Sequence, residues 1–96
     1  MVIQAHRITI GEETTEAFSL SLQQNATILH IHNHAMPHEQ FEIVEMHLEF
    51  EECVLRRFLV VDTFCCEPTT APNAVLHFIG GLTFDFHVWN VFEVLD

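Results

Sequence analysis

Phe41-Glu42-Ile43-Val44-Glu45-Met46-His47-Leu48-Glu49-Phe50 is the stretch whose reading decides between an all-β and a mixed fold. Two periodicities compete in it. Phe41, Val44 and Leu48 sit at i, i+3 and i+7, the spacing of one helix face. Val44, Met46, Leu48 and Phe50 also alternate with Glu45, His47 and Glu49, as the two faces of a strand do. The strand reading is preferred, with Val44, Met46, Leu48 and Phe50 facing inward and Glu45, His47 and Glu49 facing solvent. Phe41 and Ile43 fall out of phase with that set, which predicts a bulge near Ile43-Val44.

The flanking sequence supports a period of two. Val2 to Ile10 reads as a first strand with Ile8 and Ile10 on one face, ended by the turn residues Gly11 to Thr15. Phe18, Leu20 and Leu22 alternate with Ser19 and Ser21, and Gln23-Gln24-Asn25 breaks the pattern. Thr27 to Asn33 follows, with Leu29 and Ile31 on one side and Ile28, His30 and His32 on the other. Pro37 lacks a ladder donor and marks a loop. Val54 to Asp62 is a strand with Phe58 and Val60 in phase, and Glu67 to Asn73 is a loop. Val75 to Ile79 is a strand, Gly80-Gly81 a turn or bulge, and a last strand runs from Leu82 to Val94. About seven short strands predict a mainly β fold, a small antiparallel sandwich or barrel, with residues 1–96 forming one domain.

Composition narrows the function classes. Fourteen carboxylates stand against three arginines and no lysine, a net charge of -11. That charge repels phosphate backbones and argues against direct nucleic-acid binding. It suits a protein partner with a basic surface. The three cysteines, Cys53, Cys65 and Cys66, are an odd set with an adjacent pair, which reads as reduced thiols in the cytoplasm rather than a disulfide framework. The first residues lack the pattern of a signal peptide, and no apolar run is long enough for a helical membrane span. A chain this short buries only roughly 60–65% of its unfolded surface, so homodimerisation is a natural supplement. Titration of the eight histidines would offset much of the negative charge, and self-association is expected to increase on acidification.

Two clusters stand out as sites. Along a strand, His30, His32 and His34 leave one face about 6.5–7 Å apart, and neighbouring imidazoles can share a divalent transition metal if a residue such as Glu39 folds back to join them. Without a metal, the same residues are a histidine-rich strand face. Glu42, Glu45, Glu49, Glu51 and Glu52 crowd one segment and are candidates to face a basic partner, or to guard a strand edge against aggregation. Trp89, in Val88-Trp89-Asn90-Val91-Phe92-Glu93, is a candidate interface residue or part of a central strand. No nucleophile motif or phosphate-binding glycine loop is present, which argues against an enzyme.

His32-x-His34-x-x-x-x-Glu39 resembles the first metal motif of the cupins, all-β proteins that bind Fe, Mn, Ni or Zn. The glycine before the histidines is absent, and the second motif survives only as Gly81 followed by His87. Five segments together resemble a family of small tailed-phage and prophage proteins without an assigned activity. They are His6-Arg7, Ala26 to Ile31, Arg57 to Thr63, His77 to Gly80, and the ending Val88-Trp89-Asn90-Val91-Phe92-Glu93, close to Val-Trp-His-Val-Phe-Glu. Asn90 replaces that histidine, Phe64 stands where a glycine follows the threonine, and Phe41 to Val44 replaces a Leu-Trp. The resemblance implies a phage or prophage origin and a host-cytosol location. The expectations are therefore a non-enzymatic accessory protein that binds another protein, with an anti-defence inhibitor as its sharper form, or a cupin-like metal binder, or a minor virion component.

Overall fold

The computed structural model describes residues 1–9, 17–33, 40–48, 52–62, 75–84 and 87–95. Its seven strands are β1 (Val2–Thr9), β2 (Phe18–Gln23), β3 (Thr27–Asn33), β4 (Gln40–His47), β5 (Cys53–Asp62), β6 (Val75–Phe84) and β7 (His87–Leu95). They form a three-stranded sheet in the order β1-β4-β3 and a four-stranded sheet in the order β2-β5-β7-β6, and every strand pairing is antiparallel. This is the expected β-sandwich. Its shortest dimension is 18 Å, which fits two sheets packed face to face about 10 Å apart with their outward side chains.

The core lies between the sheets. Ile8, Phe41 and Ile43 come from the three-stranded sheet, and Leu22, Phe58, Val60, Leu82 and Val91 from the four-stranded one. Phe41 and Phe58 are fully buried, and removing a ring of that size from water stabilises the fold by roughly 2–3 kcal/mol. The chain passes between sheets at Gln24-Asn25, where the Ala26 amide donates to the Gln23 carbonyl at 3.0 Å. From there β3 lies against β6, an edge strand of the four-stranded sheet. A Cβ placed on Gly80 of β6 would lie 3.1 Å from Ile31 Cγ1 of β3, so this glycine permits a close approach of the two strands.

Four expectations need correction. Strand β4 pairs with β1 without a register break from Val2↔His47 to Thr9↔Gln40, so no bulge lies at Ile43-Val44 on that side. Phe41, Ile43 and Glu45 are the buried set of β4. Phe41 and Ile43, both fully buried, hold the phase, and Glu45 and His47 follow them inward. The irregularity lies in β3, where Ile28 pairs with Glu45 and His30 with Val44, leaving Leu29 as the extra residue. Ile28 and Ile31 therefore both pack against the core, contrary to simple alternation, and Leu29 is exposed. Finally, the expected strand from Leu82 to Val94 is two strands: Leu82–Phe84 ends β6, and the chain reverses so that Phe84 pairs with His87. The paired glycines lie within β6, next to a register shift between Phe78 and Gly80.

Candidate functional site

His30 and His32 are exposed on the outer face of the three-stranded sheet, opposite Val44 and Glu42 of β4. Their shared direction is as expected from strand geometry, but His34 and Glu39 lie outside the described residues. Among the described residues, no three histidine, cysteine, aspartate or glutamate side chains are grouped to hold a metal ion.

The acidic segment divides. Glu52 is exposed, and Glu42 is half-buried with Oε1 3.8 Å from Arg7 Nη2. Glu49 and Glu51 lie outside the described residues. Glu45 does not face solvent: its side chain is 1% exposed. It cannot meet a partner, because it shares the inward phase of Phe41 and Ile43. Trp89 packs against the core on the inward side of β7, which lies between β5 and β6, so its ring is not an open platform.

The correction at Glu45 exposes an arrangement that the sequence reading missed. His47 Nδ1 lies 2.9 Å from both carboxylate oxygens of Glu45, and His6 Nε2 lies 3.2 Å from Oε1. The β1–β4 pairing places His6 opposite Ile43, next along the inner face from Glu45, and strand alternation places His47 two residues on. A buried carboxylate needs such partners because desolvation of the charge is otherwise costly.

On the other sheet, Arg56 of β5 and Glu93 of β7 form a two-pronged pair. Arg56 Nε donates to Glu93 Oε2 and Nη2 to Oε1, both at 2.6 Å, while Nη1 donates to the Ala26 carbonyl at 2.5 Å. The Ala26 bond ties the start of β3 to the four-stranded sheet. The hydrogen bond to Glu93 raises the Arg56 pKa above its ordinary value; burial opposes this, and the negative charges of Glu93 and Glu45 add to it. The guanidinium thus responds to carboxylates from both sheets.

Beside this pair a cleft of about 350 Å³ is lined by Ala26, Thr27, Ile28, Arg56, His77 and Glu93, among others. Its cation and anion already satisfy each other, which makes the floor a structural clamp rather than an ion-binding site. The inward parity of Arg56 with Phe58 and Val60, and of Glu93 with Val91, was a sequence signal for this pair. Cys53 is a free, exposed thiol that accepts a hydrogen bond from Gln23 Nε2 at 3.3 Å; Cys65 and Cys66 lie outside the described residues. No helix among the described residues is long and apolar enough to cross a membrane. The chain matches no protein-family model, no curated protein and no solved structure.

Proposed function

We propose that this chain is a non-enzymatic accessory protein that binds a protein partner with a basic surface, acting in the cytosol of a phage host as the phage-family resemblance implies. The observation that carries this reading is where the charges lie. Of the three arginines, Arg56 is committed to Glu93 in the interior. Arg7 and Arg57 are the positive side chains left to the exterior of a chain with a net charge of -11. Such a surface favours rapid encounter with a cationic one and disfavours nucleic acid. Glu42 and Glu52, joined by Glu49 and Glu51 in the same segment, are the carboxylates assigned to the partner. Glu45 is withdrawn from that set.

The test is affinity capture from host cytosol with the wild-type chain, a Glu49→Lys/Glu51→Lys/Glu52→Lys variant and a Glu45→Gln variant. The expected result is one protein retained at low salt, released as salt screens the contact, lost with the triple variant and kept by any folded Glu45→Gln protein. Retention that is indifferent both to salt and to the triple variant overturns the reading.

A further inference from the structure

We propose that the outward edge of β6 at Val75–Phe78 is an interface between two copies of this chain, their strands pairing antiparallel about a two-fold axis at His77. This inference is independent of the acidic-partner reading. Strand β6 is hydrogen-bonded to β7 on one side, and no strand among the described residues pairs with it on the other. It is ten residues long and contains none of the fourteen carboxylates, no arginine and no proline. A long uncharged edge of this kind invites another strand.

The other edges are less suited. Strand β1 carries Arg7, which is close to Glu42. Strand β2 has six residues, with Ser19, Ser21 and Gln23 on its outward face. Strand β3 has seven residues and approaches β6 where Ile31 meets Gly80; that contact also occupies β6 at Gly80, so the proposed interface is confined to Val75–Phe78.

A second copy fits the charge and the symmetry. Two chains of net charge -11 repel, so they approach most cheaply along a strip without carboxylates. An antiparallel pair of identical strands closes on itself, which gives a dimer rather than a filament. Side-chain direction then selects the register. Residues directly opposite in an antiparallel pair share a face. Leu76 and Phe78 face outward with their β7 partners Val94 and Phe92, whereas His77 faces inward with Glu93. An axis at His77 places Leu76 of each copy opposite Phe78 of the other. It also extends the edge-to-face contact of Phe78 and Phe92, whose ring centroids are 5.7 Å apart, into an apolar row across both copies. Phe78 and Val75 are 56% and 60% exposed in the single chain, so the pairing removes apolar surface from water.

Two measurements on the full chain test this. Sedimentation velocity should show a dimer for the wild type and a monomer for Phe78→Lys, with unchanged circular dichroism. In a background with Cys53, Cys65 and Cys66 replaced by serine, His77→Cys should form a covalent dimer with oxidised glutathione, because opposed Cα atoms about 4.5–5.5 Å apart are within disulfide reach. Ser21→Cys, on the opposite edge of the same sheet, should remain monomeric on a non-reducing gel. A wild-type monomer at high micromolar concentration overturns the proposal. So does a dimer that His77→Cys fails to cross-link, which also covers the case in which Phe78→Lys does not fold.

Discussion

The two halves of the sandwich neutralise a buried carboxylate in different ways. In the four-stranded sheet Glu93 is gripped by the planar fork of Arg56, a permanent cation with two parallel hydrogen bonds and a third to the Ala26 carbonyl. In the three-stranded sheet Glu45 is more deeply buried, yet its partners are two imidazoles, His6 and His47. The first arrangement joins β5, β7 and the start of β3; the second joins only β1 and β4. Arg56 also feels the charge of Glu45, so the halves are electrostatically linked. Burial depth and partner strength are therefore separate variables. The stronger clamp sits where it holds the two sheets together, and the weaker one where it holds adjacent strands.

The largest expected effect comes from breaking the stronger clamp. Arg56→Met leaves Glu93 buried and unpaired and should cost about 3–5 kcal/mol in urea unfolding. An Arg56→Met/Glu93→Leu double variant should recover most of that loss. If the double variant is as unstable as the single one, the pair is not the source. Below the arginine titration range the contribution of the Arg56 cation should be constant; because its pKa is raised in the fold, it is lost only as pH rises through that raised value in strong alkali.

Glu45→Gln keeps the shape of the second site but replaces a carboxylate with an amide. It should cost about 1–3 kcal/mol, less than Arg56→Met. The reverse ranking would mean that burial depth, not partner strength, governs the difference. Gly80→Ala probes the seam where the sheets meet. Its new methyl would sit 3.1 Å from Ile31 Cγ1, and thermal unfolding should register about 1 kcal/mol of overpacking. The smallest effect is reserved for Glu49→Lys/Glu51→Lys/Glu52→Lys, which should change stability by less than about 0.5 kcal/mol per site. A larger loss would place that segment in the structural group with Glu45.

Much of the fold was legible in local pattern. Phe18 to Leu22 alternates cleanly and forms β2; Gln24-Asn25 forms a turn; and β5 begins one residue before its expected start at Val54. The helical spacing of Phe41, Val44 and Leu48 was outweighed by strand pairing along all of β4. The shared face of His30 and His32 was legible as well. Glu45 was not, because charge suggested water while the phase set by Phe41 and Ile43 required the interior. The clamp from Arg56 to Glu93 was only half legible: parity pointed both residues inward, but thirty-six intervening residues hid that their strands are neighbours.

By itself the sequence determined the secondary-structure class and the net charge, since alternation and net charge are properties of a chain read residue by residue. Tertiary structure alone decided which face of β4 is buried, where Leu29 interrupts the register, and that Leu82–Phe84 belongs to β6 rather than to the strand that follows. A strand offers two faces of similar apolar content, and only contact with a second sheet selects one of them. That selection turned Glu45 from an outward-facing carboxylate into one enclosed by two histidines.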